Sequence, residues 1–232
     1  LKEDSMPGRD VIEQLGSGPV ILPSLLLCDF ANLQHEVEQL QQAGIRGLHL
    51  DVMDGQFVPN LTYGMPIVDA LRKVTEMPLD VHLMIEQPGR YLKAFANAGA
   101  DLLTVHVEAC EDIVSTLSEI RSLGMAAGVA MNPSTDIDRI EPALSVADLV
   151  LVMSVPAGFG GQPFEPAALE KTRQLASRDD GEWILEMDGG LNLETISPCR
   201  AAGAQWLVIG SAIFKQPSYS DAVDALLAAA NS

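Results

Sequence analysis

The chain has 232 residues, of which 47% are hydrophobic and only 5% aromatic, which predicts one large α/β domain with an aliphatic core. Acidic residues outnumber basic ones by 32 to 14, and the formal charge of -18 argues against nucleic acid and anionic membranes as partners. The three cysteines, Cys28, Cys110 and Cys199, form no closely spaced pair, so we expect no disulfide framework. Reduced cysteines are typical of the cytoplasm, which is the expected location.

The first 19 residues are typical of a polar extension outside the fold. They close with Gly-Ser-Gly-Pro, lack the apolar run of a signal peptide, and are predicted to be flexible. No later stretch is long and apolar enough to span a bilayer, so no membrane partner is expected. Residues 20–232 are therefore predicted to form a single domain.

From Val20 onward, short β-branched or leucine-rich runs alternate with longer segments of helical pattern. Eight runs predict strands: VILPSL, GLHLDV, LDVHLMI, LLTVHVE, AAGVAMN, LVLVMSV, WILEMD and WLVIGS. Strands that alternate with helices indicate βα units and a parallel sheet. Eight such units are the number in a (β/α)8 barrel, the TIM-barrel fold, although an open α/β sheet alternates in the same way.

Glycines follow alanines at the ends of several predicted helices. Gly44, Gly99 and Gly203 each stand a few residues before a predicted strand. Glycine adopts the left-handed conformation that closes a helix, after which the chain can return to the sheet. Because every α/β protein places glycine there, this repeat does not distinguish a barrel from an open sheet.

Chemically distinctive residues stand at the ends of many predicted strands. They are Ser24, His49, Asp51, His82, Met153, Asp188, Gly210 and Ser211. In a barrel, the carboxyl ends of all strands meet at one mouth, where catalytic residues gather. This distribution favours a closed (β/α)8 barrel with one mouth.

The second, third and seventh predicted strands carry a candidate metal site. Residues two apart on a strand share a face, so His49 and Asp51 point the same way. His82 ends the third strand, and Asp188 ends the seventh, which lies across a barrel mouth from the second. Each alone is explained by a packed histidine or a loop-capping aspartate. Together, two imidazoles and two carboxylates predict a site for Zn²⁺, Mn²⁺ or Fe²⁺.

Three further polar residues are predicted to have structural roles. Asp54 has the opposite parity to Asp51 and stands before a glycine, so it is expected to anchor the following loop. Glu186 shares the face of Asp188 but lies deeper, which predicts a hydrogen-bonded structural role. His106 ends the fourth strand and is expected to be a packed histidine.

Glycine-rich segments follow the sixth, seventh and eighth strands and predict a phosphate site. AGFGGQPF, DGG and GS would let backbone N–H groups approach an anion, and SAIFK predicts a short helix pointing at it. The three glycine-rich segments are adjacent in a barrel, so their donors are expected to converge, and AGFGGQPF, DGG and GS contain no lysine or arginine. The long loop over 154–166 is predicted to be a lid that excludes water.

These motifs together resemble the ribulose-phosphate 3-epimerase family of metal-dependent (β/α)8 enzymes. The resemblance is carried by PSLLLCDFANL, HLDVMDGQFVPNLTYG, LDVHLM, VHVEA, VMSV, GFGGQ, MDGG and GSAIF. It implies an isomerase that interconverts D-ribulose 5-phosphate and D-xylulose 5-phosphate, in the pentose phosphate pathway or the Calvin cycle. It also implies a phosphorylated ketose substrate, a homo-oligomer (dimer or hexamer), and a cytoplasmic location, or the plastid stroma in a photosynthetic eukaryote.

Position by position, the resemblance implies one divalent metal ion (Zn, Fe, Mn or Co) on His49, Asp51, His82 and Asp188. Asp51 and Asp188 would also be catalytic and move the protons. The implied substrate-binding residues are Ser24, His82, Gly158, Phe159, Gly160, Gly161, Gly189, Gly190, Gly210 and Ser211. Met53, Met84 and Met153 would line the site near the reacting carbon, although ordinary core packing explains methionines equally well.

The implied chemistry is a proton exchange at C3, next to the C2 ketone. The metal ion stabilises an enediolate while one aspartate removes the proton and the other returns one from the opposite face. In one departure from the family pattern, Pro156 and Ala157 stand where Asn-Pro or Glu-Pro is usual; we expect a changed lid shape but retained activity.

Three alternative functions remain open from the sequence. They are a D-allulose 6-phosphate 3-epimerase, a metallohydrolase barrel and a non-catalytic sugar-phosphate binder.

Overall fold

Eight parallel strands form a barrel at the centre of the protein, in a computed structural model that describes residues 7–179 and 181–232. The strands are β1 (Val20–Pro23), β2 (Leu48–Met53), β3 (Leu79–Met84), β4 (Leu102–His106), β5 (Ala126–Met131), β6 (Leu149–Met153), β7 (Ile184–Asp188) and β8 (Trp206–Ile209). Their order in the sheet is β1-β8-β7-β6-β5-β4-β3-β2, and a bridge between Ser24 and His49 closes the ring. The predicted (β/α)8 barrel and its eight strands are confirmed.

Helices surround the barrel on its outer face. Over the described residues they are α1 (Pro7–Leu15), α2 (Leu33–Gln42), α3 (Met65–Arg72), α4 (Leu92–Ala98), α5 (Ile113–Ser122), α6 (Ala167–Ala176), α7 (Ile196–Ala201), α8 (Ser211–Phe214) and α9 (Tyr219–Ala230). Each helix of this described part is too short or too polar to cross a lipid bilayer.

The connection between β5 and β6 differs from the regular pattern. A helix was expected there, but the described chain crosses through two 3-10 turns, Ile137–Arg139 and Glu141–Ala143. Pro133 closely follows β5, and Pro142 lies within the second turn. A proline removes a backbone N–H and clashes with the preceding helical turn, so an α-helix does not propagate through this segment.

Alternation along the strands separates two apolar layers. On β2, Leu48, Leu50 and Val52 belong to the large core between the sheet and the helices. His49 and Asp51 point the other way, into the barrel, as their parity predicts. The lower barrel interior is filled by an aliphatic and aromatic cluster that includes Leu22, Leu102, Leu149, Leu151 and Trp206. On β2, the charged side chains thus lie on the inner face of the barrel.

The glycines predicted to close helices do so. Gly44, Gly99 and Gly203 have φ of 81°, 98° and 110°, in the left-handed region that glycine enters at little cost. Each is followed within a few residues by the next strand. The Ala-Gly repeat therefore marks real helix ends.

Part of the segment predicted to be a flexible extension is helix α1, so that prediction is wrong for residues 7–15. Leu15 is buried and packs with the barrel interior, while the Trp206 indole N–H donates to the Gly16 carbonyl at 2.9 Å. Trp206 is the first residue of β8, so α1 covers the amino-terminal end of the barrel. Burying the apolar face of α1 stabilises it there. Residues 1–6 lie outside the described residues.

Candidate active site

The four residues predicted to bind a metal lie together at the mouth of the barrel. One ligand atom from each of His49, Asp51, His82 and Asp188 lies within 4.8 Å of the others. β2 and β7 are separated by β1 and β8 in the ring, so their ends face each other across the mouth. Both histidines are fully buried, whereas Asp188 is partly exposed.

Asp51 is the centre of this group. The Ser24 hydroxyl donates to Asp51 Oδ2 at 2.6 Å. His82 Nδ1 and His49 Nε2 lie 3.2 Å and 3.4 Å from Asp51 Oδ1. The Asp51 backbone N–H donates to the Tyr63 hydroxyl at 3.1 Å. The carboxylate is therefore held in one orientation by side chains from separate segments of the chain.

The two aspartates have opposite pKa shifts. Burial opposes ionisation of Asp51, but the His49 and His82 imidazoles beside it together outweigh burial and lower the Asp51 pKa well below its usual range. At Asp188, burial and then the Asp51 carboxylate raise the pKa to about 7. Two carboxyl groups pushed apart in this way favour different protonation states, as an acid and a base require.

Two carboxyl groups lie beneath the metal-ligand group. His49 Nδ1 is 2.5 Å from Asp80 Oδ2 and 3.8 Å from Glu186 Oε1, and all three side chains are buried. Burial alone would lower the pKa of His49, but Asp80 and Asp51 raise it well above its usual value. Sequence reasoning missed Asp80, although its parity with His82 on β3 placed it on the inner face.

The donor set fits a divalent cation. His49 Nε2 is buried, faces Asp51, and has no hydrogen-bond partner among the described residues. A buried ring nitrogen without a well-formed hydrogen bond is costly unless a cation or proton lies between it and the carboxylate that it faces. Two imidazole nitrogens and two carboxylates form the mixed set that Zn²⁺, Fe²⁺, Mn²⁺ and Co²⁺ accept. Positive charge here would also offset the surplus of buried carboxylates.

β4 contributes a histidine to the group that was predicted to be merely packed. His106 Nε2 lies 2.9 Å from His82 Nε2, and the two rings stack with centroids 5.0 Å apart. His106 Nδ1 in turn lies 3.1 Å from Glu108 Oε2. The motif VHVEA pairs a histidine with an acid two residues on, as HLD does on β2, and this spacing was the signal that the sequence offered.

A cavity of about 210 Å³ opens above Asp51 and Asp188. Its wall contains most of the predicted site residues: Ser24, Asp51, Met53, Met84, Met153, Gly158, Phe159, Gly160, Gly161, Asp188, Gly189, Gly190, Gly210 and Ser211. It also contains Gln162 and Asn192, which sequence reasoning missed. His49 and His82 lie behind this wall. Direct contact of His82 with substrate was predicted, but its ring is fully buried and has no exposed surface for such a contact.

Backbone rather than side chains forms the far side of the cavity. Gly189 and Gly190 have φ of 115° and 64°, and a Cβ on Gly189 would lie 2.5 Å from Val155 Cγ2. A Cβ on Gly190 would lie 2.9 Å from the Phe164 nitrogen. The wall, as described, contains no lysine or arginine. Any anion held here therefore meets neutral N–H groups and the start of α8.

The long loop after β6 is tied down at both sides of the mouth. The Ala157 N–H donates to Asn132 Oδ1 at 3.0 Å, and Asn60 Nδ2 donates to the Gly158 carbonyl at 2.8 Å. Within the loop, Gln162 Nε2 donates to two carbonyls at 2.7 Å and 2.9 Å. The unusual Pro-Ala sequence thus retains an anchor, because alanine keeps the backbone N–H that proline lacks.

The prediction for Asp54 is confirmed. Its Oδ1 accepts from the backbone N–H groups of Gln56 and Phe57, and its Oδ2 accepts from Glu86 N at 2.8 Å. These bonds lower the pKa of Asp54 against the effect of burial. Asp54 therefore anchors the loop after β2 to the loop after β3 and stays out of the metal-ligand group.

A family model described as the ribulose-phosphate 3 epimerase family matches residues 20–214. The chain belongs to the ribulose-phosphate 3-epimerase family. It is 48% identical to a ribulose-phosphate 3-epimerase from Synechocystis over 88% of this chain and 91% of that relative. The Bacillus subtilis enzyme is 46% identical (88% and 95%), and the chloroplastic enzyme of Arabidopsis thaliana is 44% identical (90% and 76%).

Solved structures with lower identity share the fold. A structure of KGPDC from Streptococcus mutans has a TM-score of 0.66 at 16% identity, covering 92% of this chain and 97% of that one. A 3-hexulose-6-phosphate synthase has a TM-score of 0.67 at 17% identity, covering 91% and 99%. These likenesses show the TIM barrel, and the family assignment stands on the closer relatives.

Proposed function

We propose that this member of the ribulose-phosphate 3-epimerase family interconverts D-ribulose 5-phosphate and D-xylulose 5-phosphate through an acid/base pair formed by Asp51 and Asp188. The relatives that carry this name cover most of the chain. The observation that carries the proposal is the pair itself: two carboxyl groups from β2 and β7 line one cavity and have opposite pKa shifts.

The reaction needs two proton-transfer groups on opposite faces of the substrate. The C3 proton is acidic because the C2 ketone is adjacent, and its removal leaves a planar enediolate. Returning a proton to the same face regenerates the substrate, and returning it to the other face inverts C3. Asp51 and Asp188 stand on strands that face each other, so one accepts the proton while the other donates. The Ser24 hydroxyl keeps the Asp51 carboxylate oriented.

The cofactor in this proposal is one divalent metal ion, Zn²⁺, Fe²⁺, Mn²⁺ or Co²⁺. Its ligands are His49, Asp51, His82 and Asp188, whose ligand atoms lie within 4.8 Å of one another. When bound, the ion supplies positive charge that stabilises the negative charge developing on the substrate. Met53, Met84 and Met153 line the cavity and keep water from the reacting carbon without competing as charged ligands.

The phosphate end of the ketose lies against the backbone side of the cavity. We assign it to Gly158, Phe159, Gly160 and Gly161, to Gly189 and Gly190, and to Gly210 and Ser211 at the start of α8. Neutral N–H groups suit this task in a protein of charge -18, because they bind an anion without adding side chains that the acidic surface would neutralise.

The proposal includes a single catalytic barrel domain over residues 20–232, against which α1 packs, that acts as a homo-oligomer, a dimer or hexamer. It places the protein in the cytoplasm, or in the plastid stroma of a photosynthetic eukaryote, in the pentose phosphate pathway or Calvin cycle. The names of bacterial and chloroplastic relatives support this assignment.

The deciding experiment is incubation with D-ribulose 5-phosphate in D₂O, with chelator and after re-addition of each divalent metal. We expect metal-dependent incorporation of deuterium at C3 together with formation of D-xylulose 5-phosphate, both measured by NMR. A parallel incubation with D-allulose 6-phosphate tests the substrate class. Absence of C3 exchange in the fully metal-loaded protein, or a preference for the hexulose by orders of magnitude, contradicts the proposal.

A further inference from the structure

His82, one of the proposed metal ligands, is connected to the protein by its second ring nitrogen. Nδ1 faces Asp51, and Nε2 lies 2.9 Å from Nε2 of His106. Both imidazoles are fully buried, so water does not bridge or replace this contact. Two neutral imidazoles this close need one N–H and one lone pair, because two lone pairs or two protons repel. One of the two rings must therefore donate the hydrogen bond and the other must accept it.

Glu108 sets that direction. His106 Nδ1 lies 3.1 Å from Glu108 Oε2, and an ionised carboxylate only accepts hydrogen bonds, so the proton lies on His106 Nδ1. The amide of Asn132 also approaches this nitrogen, at 3.5 Å, and would favour the opposite tautomer. The carboxylate is nearer and charged, and charge-assisted hydrogen bonds are about twice as strong as neutral ones.

The other oxygen of Glu108 is occupied as well. Oε1 accepts from the Asn132 backbone N–H at 2.8 Å and from the Thr135 hydroxyl. Burial opposes ionisation of Glu108, but hydrogen bonds from His106 and Thr135 outweigh burial and lower its pKa to about 2. The carboxylate is thus fixed in place and ionised, with one oxygen committed to each side.

We propose that His106 and Glu108 are positioning residues that fix the tautomer of His82. With its proton on Nδ1, His106 presents a lone pair at Nε2, and His82 Nε2–H donates to it. The His82 lone pair is then available on Nδ1 for a divalent cation, which would stand in place of the proton that Asp51 Oδ1, 3.2 Å away, otherwise accepts from this nitrogen. This inference rests on the proposed function for the metal itself.

The substitution Glu108→Gln should reverse the direction of the hydrogen bonds from residue 108 through His106 to His82, while the side chain at position 108 keeps its size. Glutamine Oε1 must still accept from the Asn132 N–H and the Thr135 hydroxyl, so its amide nitrogen faces His106 Nδ1. His106 then becomes the Nε2–H tautomer, and its proton opposes the one on His82. His82 Nε2 then has to accept from His106, so the ring proton stays on Nδ1 and competes with the cation, and we expect Zn²⁺ affinity to fall about 10–100-fold, as for other outer partners of metal ligands.

Two measurements read this out independently. Nitrogen NMR of the metal-free protein assigns each ring tautomer, which is tractable because the chain has four histidines. We expect Nδ1–H on His106 in the unaltered protein and Nε2–H in Glu108→Gln. Competition with a chelator gives the Zn²⁺ affinity without substrate. Glu111→Gln, on an exposed side chain three residues on, is the matched control and should change neither.

His106 variants guard against misfolding of Glu108→Gln. Glutamine at position 106 can place an oxygen where Nε2 stands, so His106→Gln should keep Zn²⁺ affinity within about threefold, whereas His106→Phe should lose about tenfold. An unchanged His106 tautomer and unchanged Zn²⁺ affinity in Glu108→Gln overturn the proposal. If the tautomer reverses but even the unaltered protein binds no divalent metal, the positioning chain stands and the metal in the proposed function is wrong.

Discussion

The two sides of the barrel mouth are built from different parts of the chain. The charged side comprises the ends of β2, β3 and β4, with three fully buried histidines, and is completed by Asp188, which reaches it from β7 across the mouth. The opposite side, after β6, β7 and β8, consists of glycine backbone and a short helix. One side can therefore exchange protons and hold a cation, and the other can hold an anion that is not changed by the reaction.

This difference separates chemistry from binding within a few residues. Asp188 ends β7 on the charged side, and Gly189 and Gly190 next to it belong to the backbone side. In the proposed mechanism the groups on the charged side act on the reacting carbon, so substitutions there should change kcat. The proposed phosphate contact on the backbone side would be the same in the ground state and the transition state, so substitutions there should change KM.

The largest expected effect comes from removing a proton-transfer group. Asp51→Asn and Asp188→Asn should each lower kcat about 10²–10⁴-fold with little change in KM. Steady-state kinetics on zinc-loaded protein, with metal content measured for each variant, checks this. Inorganic phosphate as a competitive inhibitor should bind both variants as it binds the unaltered protein; a kcat near the original value would remove that aspartate from the mechanism.

A smaller effect is expected on the backbone side. Gly189→Ala puts a Cβ 2.5 Å from Val155 Cγ2 at a φ of 115°, so the loop must shift and its N–H groups move. We expect KM to rise about tenfold, which corresponds to about 1.4 kcal/mol, while kcat stays within about threefold. Gly18→Ala, where a Cβ meets open space, is the control. A fall in kcat at constant KM would break the division between the two sides.

The loop after β6 should respond more weakly. Gln162→Ala removes two hydrogen bonds that hold the loop in shape, each of which contributes about 0.5–1.5 kcal/mol. We expect KM to rise about 3–10-fold, because the glycine N–H groups stay present but less ordered. Gln174→Ala on α6 removes an exposed glutamine and should change nothing measurable. Equal KM values for the two variants would show that the loop needs no such tie.

The smallest effect concerns stability without metal. The Asp188 pKa is raised to about 7 in the folded protein, so ionisation disfavours folding: stability from this group is present below the unfolded pKa and is lost as pH rises toward 7. Metal-free Asp188→Asn should therefore melt about 2–4 °C higher than the original at pH 8, with a gain that shrinks toward pH 4. Calorimetry checks this, and a pH-independent difference contradicts it.

The residues of the metal-ligand group were easier to predict from the sequence than the buried residues that contact them. His49, Asp51, His82 and Asp188 have side chains whose chemistry is specific, and strand parity placed them on one face. His106 was expected to be packed because nothing in one strand tells which neighbour's ring it meets. That contact depends on the register of β3 against β4, which is set by the whole barrel.

Two features of backbone conformation were also not predicted from the sequence. The N-terminal segment was expected to be flexible because its composition is polar, but α1 is stabilised by an apolar face that meets the end of the barrel. The helix expected between β5 and β6 is replaced by 3-10 turns. For α1, packing against distant elements outweighed the local preference, whereas prolines interrupt the segment between β5 and β6.

By itself the sequence determined the period of the strands, the glycine helix ends, and the types of chemical group at the mouth, because these follow from local alternation and side-chain identity. Only the tertiary structure decided which of those groups meet. It put unlike pKa shifts on Asp51 and Asp188, placed Asp80 behind His49, and joined His82 through His106 to Glu108. The physical reason is that burial and charge act through distances between strands, which barrel closure sets and a linear pattern does not contain.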